Sequence, residues 1–129
     1  MEKPDILIVD DEIGVRESLK LIINERIEAE IEEKEDGDSA LEVISSKKFD
    51  LILTDLNMPY TRGITLLEEI RKIDNDVPVI VITAWDYTPD ILSKIEALNI
   101  SYVPKPMPTE LLKNMIMEIL EKKGKLIKK

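Results

Sequence analysis

Leu51-Ile52-Leu53-Thr54-Asp55-Leu56-Asn57-Met58-Pro59 is the stretch that decides the fold. A short apolar run that ends abruptly in a carboxylate and a proline-marked turn is too short for a helix of ordinary length. It reads as a strand buried on both faces. The same grammar recurs three times. Ile6-Leu7-Ile8-Val9 precedes Asp10-Asp11-Glu12, Val79-Ile80-Val81-Ile82 precedes Thr83-Ala84, and Ile100-Ser101-Tyr102-Val103 precedes Pro104-Lys105-Pro106. A weaker alternating strand is expected around Ala29 to Lys34.

Between these runs the apolar spacing is helical: Val15, Leu19, Ile22, Ile23; Leu41, Ile44; Leu66, Leu67, Ile70, Ile73; Ile91, Leu92, Ile95, Leu98; and Leu111, Leu112, Met115, Ile116, Ile119. Every stripe is expected in the core. Strands alternating with helices predict an α/β protein with a five-stranded parallel sheet covered on both faces. In such a sheet ligands collect beyond the carboxyl ends of the strands, so Asp10-Asp11, Asp55, Thr83 and Lys105 should meet in one place.

Punctuation agrees with this division. Asp36-Gly37-Asp38 opens the second helix, Thr88-Pro89 reads as an N-cap with proline at the first helical position, Pro108 begins the last helix, and Gly124 closes it. One domain over residues 1–122 is expected, then a short basic tail, 123–129, read as a solvated helix end.

Composition narrows the class. At 129 residues, with 43% hydrophobic and 35% charged, the chain has the make-up of a soluble globular domain. Its longest apolar run is far short of a bilayer span, and it opens with no signal-peptide pattern, so no membrane is expected and the expected location is cytoplasmic. The absence of cysteine rules out disulfides. A net charge of −9 argues against direct nucleic-acid binding, which needs clustered Lys and Arg.

Three carboxylates at Asp10, Asp11 and Asp55 would repel one another at close range, and a hard divalent cation resolves that repulsion. Oxygen-only ligands favour Mg²⁺, with Mn²⁺ as the alternative. Lys105 offers an ammonium and Thr83 a hydroxyl to a phosphoryl oxygen. Taken singly, acidic residues at strand ends are helix caps more often than ligands; four such elements at successive strand ends are not explained that way.

With these motifs the chain resembles the receiver domain of two-component response regulators, over Lys3 to Leu120. The residues that carry the resemblance are Asp10-Asp11-Glu12, Asp55-Leu56-Asn57-Met58-Pro59 with Gly63, Thr83-Ala84, Tyr102, and Lys105-Pro106. It implies a flavodoxin-like (βα)5 doubly wound sandwich with strand order 2-1-3-4-5, and a phosphoacceptor rather than a conventional enzyme. Asp55 would take the phosphoryl group. Asp11, Asp55 and the Asn57 carbonyl would bind the metal directly and Asp10 through water; Thr83, Lys105 and the Ala84 amide would meet the phosphoryl group. Thr83 and Tyr102 would switch the surface of the fourth helix, fifth strand and fifth helix, and the Lys105-Pro106 bond would be cis.

The implied partner is a sensor histidine kinase or a histidine phosphotransfer protein, since the chain has no histidine of its own. Ile13, Gly14, Val15 and Ser18 are candidate docking residues, as in stand-alone phosphorelay receivers. A monomer or a phosphorylation-dependent dimer is expected. Trp85 and Met107 depart from the usual residues beside the Thr-Ala and Lys-Pro pairs. Trp85 reads either as a surface aromatic or as a lid beside the phosphorylation site; no role is assigned to Met107.

Rival readings fit less well. A haloacid dehalogenase-type phosphatase needs Asp-x-Asp after the first strand, where this chain has Asp10-Asp11-Glu12. An FMN carrier of flavodoxin type needs a Ser/Thr/Gly-rich phosphate loop there, and carboxylates would repel the phosphate. A degenerate receiver would not keep the full acidic, Thr and Lys set.

Overall fold

The computed structural model describes residues 2–56, 63–83, 88–105 and 108–129. Five strands alternate with five helices: β1 (Asp5–Val9), α1 (Ile13–Arg26), β2 (Glu30–Lys34), α2 (Gly37–Ser46), β3 (Leu51–Thr54), α3 (Ile64–Ile73), β4 (Val79–Thr83), α4 (Pro89–Ala97), β5 (Ser101–Pro104) and α5 (Thr109–Lys122). The strands are all parallel and lie in the order β2-β1-β3-β4-β5, as expected.

Strand alternation splits the core in two. Leu7, Val9, Ile52, Val79 and Val81 face one way, against Ala40 and Ile44 of α2, Leu66, Leu67 and Ile70 of α3 and Ile95 of α4. Ile6, Ile8, Leu51, Leu53, Ile80 and Ile82 face the other way, against Leu19 and Ile23 of α1 and Leu112, Ile116 and Leu120 of α5. Because β1, β3 and β4 bury both faces, their sequences run apolar without interruption.

The punctuation is where the sequence puts it. Asp36 accepts from the Ser39 N–H at 2.7 Å, and Thr88 caps α4 by accepting from Ile91, with Pro89 in the first turn. Pro108 stands just outside α5, as its N-cap. Gly124 adopts φ +70°, donating to Glu121 while Lys125 donates to Leu120, a paired closure that the left-handed glycine permits.

Two expectations need correction. Ile73, Leu92 and Leu111 are exposed rather than core. Leu111 stands about 100° around its helix from buried Leu112, and Leu92 the same from half-buried Ile91, which turns each toward solvent; Ile73 is the last residue of α3. The basic tail is also no solvated helix end. It returns along the end of α1, where Lys128 forms an antiparallel bridge with Ile27, Glu28 donates to Ile127 at 2.9 Å and Lys129 to Arg26 at 2.9 Å. Half-buried Leu126 packs on the α1–α5 core and anchors it.

Long cations fasten the helices. The Arg71 guanidinium donates to the carbonyls of Val77 at 2.6 Å, Leu98 at 2.8 Å, Asn99 at 3.2 Å and Asp74 at 3.3 Å, joining the ends of α3 and α4. Buried Lys113 of α5 pairs with Glu25 of α1 at 2.5 Å and with Glu110 at 3.6 Å. A buried ammonium must be paired in this way, because its desolvation is otherwise too costly.

Candidate functional site

The parallel ladder continues one residue beyond the strands and fixes the residues that emerge from them. Asp10 donates its N–H to Lys34 at 3.1 Å, Asp55 to Val9 at 3.0 Å, and Lys105 to Thr83 at 2.8 Å. Carboxylate oxygens of Asp10, Asp11 and Asp55 thereby come within 4.8 Å of one another, a group that could hold a metal ion. Asp10 and Asp55 are buried; Asp11 is exposed and forms the open side.

Lys105 bridges the buried pair. Its Nζ lies 3.2 Å from Asp10 Oδ2 and 3.1 Å from Asp55 Oδ2. Burial disfavours the Lys105 cation, but the hydrogen bond to Asp55 and the charges of Asp10 and Asp55 outweigh it, and its pKa lies above the ordinary lysine value. Asp10 also titrates high. Burial raises it, and the Glu12 N–H and Lys105 only partly offset the effect.

One ammonium against three carboxylates leaves the cleft negative. Two carboxylates at such a separation repel by about 3 kcal/mol at an effective dielectric of about 20, so the pocket favours an added cation. Hard oxygen ligands on one open side suit an ion that keeps some of its water.

Of the residues singled out in the sequence, Asp10, Asp11, Asp55 and Lys105 come together directly. Thr83 is fully buried at the end of β4, its carbonyl holding the Lys105 N–H. Tyr102 lies further back on β5, opposite Val81, half-buried against the core on the α2, α3 and α4 side. Ile13, Gly14 and Ser18 are exposed on α1, whereas Val15 is half-buried and packs on the α1–α5 core. Asn57, Ala84, Trp85, Pro106 and Met107 fall outside the described residues. One neighbour had no signal in the sequence: Arg16, whose Nη1 donates to the Asp10 carbonyl at 2.7 Å. Nothing in a single charged residue of a helix announces which carbonyl it will reach.

The family model described as response regulator receiver domain matches residues 6–117, a span that contains this whole constellation. The chain belongs to the response regulator receiver family. Its place is therefore in two-component signal transduction. The receiver is 34% identical over 119 residues to the chemotaxis protein CheY of Pseudomonas aeruginosa, covering 91% of this chain and 96% of that one. It is 33% identical over 105 residues to the response regulator MprA of Mycolicibacterium vanbaalenii, covering 81% of this chain but only 45% of that protein. Among solved structures, the CheY-like receiver domain protein of Methanospirillum hungatei superimposes with a TM-score of 0.86 at 27% identity, covering 96% of this receiver and 98% of that chain.

Proposed function

We propose that this receiver accepts a phosphoryl group on Asp55 from a phosphohistidine of a sensor histidine kinase or histidine phosphotransfer protein, in a Mg²⁺-dependent reaction. The observation that carries the reading is the position of the buried Asp55 carboxylate, 3.1 Å from the Lys105 ammonium and grouped with Asp10 and Asp11.

A carboxylate oxygen of Asp55 forms the new P–O bond as the P–N bond to the donor imidazole breaks, and the imidazole leaves with the bonding pair. Lys105, held between two carboxylates in the resting site, is placed to transfer its hydrogen bonds to the phosphoryl oxygens as charge builds there. Thr83 supplies a hydroxyl to the same group, and its shift, with inward rotation of Tyr102, would alter the α4–β5–α5 surface. Asp11 and Asp55, with the Asn57 carbonyl and Asp10 through water, would hold Mg²⁺, or Mn²⁺ in its place. The bound ion would neutralise charge on the transferring group and, later, assist hydrolysis of the acyl phosphate.

Docking of the donor on α1 is supported by apolar side chains left on its outer side. Ile13, at the first position of the helix, is 66% exposed, and Leu21, turned away from buried Leu19 and Ile23, is 73% exposed. Among the described residues no helix is long and apolar enough to cross a membrane, which fits work in the cytoplasm.

The test is phosphorylation by a small acyl or amidophosphate donor, followed by intact-mass measurement. The parent should gain one phosphoryl group with Mg²⁺ present, and Asp55→Asn, nearly isosteric but a poor nucleophile, should gain none. An adduct on the variant equal to the parent's would remove Asp55 from the role.

A further inference from the structure

Arg16 touches the acidic site without being one of its carboxylates or its lysine. Its Nη1 donates to the Asp10 carbonyl at 2.7 Å and its Nε to Glu33 Oε1 at 3.1 Å, from a side chain only 13% exposed. Both bonds leave one rigid planar fork. Glu33 on β2 therefore sets where the guanidinium lies, and the guanidinium sets where the Asp10 peptide lies. Lys20, one turn further along α1, meets the other oxygen of Glu33 at 2.9 Å and leaves untouched the oxygen that Arg16 holds.

The strap matters because so little else orients the turn between β1 and α1. That turn is three residues long, Asp10 to Glu12, and α1 has no capping side chain. Asp10 is secured at its other polar atoms: its N–H reaches Lys34, Oδ1 takes the Glu12 N–H at 2.9 Å, and Oδ2 takes Lys105. With Arg16 on the carbonyl, every polar group of Asp10 is engaged. Asp11 is different: it is exposed, and its side chain makes no hydrogen bond among the described residues. The place of its carboxylate is inherited from the peptides on either side.

We propose that Arg16 is a positioning residue of the metal site: by fixing the Asp10 peptide it holds the Asp11 carboxylate ready beside Asp55 and so raises the affinity for the divalent cation. The inference rests on the reading of this cleft as a Mg²⁺ site. Without the strap, carboxylate repulsion spreads the turn, and an incoming ion must close it again at the expense of binding.

Mg²⁺ titrated alone into the full chain, followed by calorimetry, tests this. Arg16→Met keeps the aliphatic stem and removes both hydrogen bonds; it should weaken the Mg²⁺ Kd about tenfold, as loss of a group that orients a metal ligand commonly does. Lys20→Met strips Glu33 of its other cation without touching Asp10 and should keep the parent Kd, although both variants lower Tm. Arg16→Lys, a single point donor, should fall between. Arg16→Met at the parent Kd, or Lys20→Met weakened as much as Arg16→Met, overturns the proposal; should Arg16→Met not fold, Arg16→Lys at the parent Kd does the same. A parent that binds no Mg²⁺ removes the metal reading itself, and the role of Arg16 with it.

Discussion

Asp11 and Asp55 would share one cation from opposite surroundings, one carboxylate open to water and the other buried. Removing the open one should have two effects of opposite sign. Without metal, Asp11→Ala relieves repulsion on Asp10 and Asp55, and the midpoint of thermal unfolding should hold or rise. With Mg²⁺ at ten to a hundred times its Kd, the parent should gain about 1.4 to 2.7 kcal/mol by linkage, and the variant should lose most of that gain. Thermal unfolding with and without Mg²⁺ measures both; a variant that responds as fully as the parent would place the ion elsewhere. Asp10, Asp11, Asp55 and Lys105 were legible in the sequence because the backbone alone brings them together, each standing where an apolar strand stops. Arg16 was not, because its partners, the Asp10 carbonyl in the turn after β1 and Glu33 on β2, are selected only by the folded molecule.

Helix boundaries were legible for a similar reason, since capping chemistry is local. At the start of α2 the Ser39 N–H, the largest influence on Asp36, holds its carboxyl below the ordinary aspartate range. A depressed folded-state value means stability that is present above the ordinary aspartate pKa and is lost as pH falls through the folded one. Asp36→Ala should cost about 1 kcal/mol in denaturant unfolding at neutral pH. Asp36→Asn keeps an acceptor for Ser39, so it should stay near the parent at neutral pH and lose less on acidification below about pH 4. An Asn variant with the parent's full acid loss would mean that other carboxylates carry it. The return of the tail across Ile27 and Glu28 was harder to foresee. Lys125, Lys128 and Lys129 dominate its composition, while the contacts that return it along α1 are backbone bonds and the packing of half-buried Leu126.

At the scale of the whole molecule, the order β2-β1-β3-β4-β5 puts the strand that delivers Asp55 at the centre of the sheet and the strand that carries Tyr102 at its rim. β3 is buried along its length and bonded on both sides, whereas β5, among the described residues, pairs only with β4, and its Ser101 and Pro104 are exposed. Local opening draws on segments with few buried contacts and leaves the best-packed strands until global unfolding. Deuterium uptake by the native protein should therefore be ordered: backbone amides of β1, β3 and β4 last, those of β5 earlier. Equal protection of Leu53 and Tyr102 would contradict this. The chain would then hold its chemistry on a strand that opens last and carry Tyr102 on one that opens sooner, so that an event at Asp55 would be felt by a strand already loose enough to answer it.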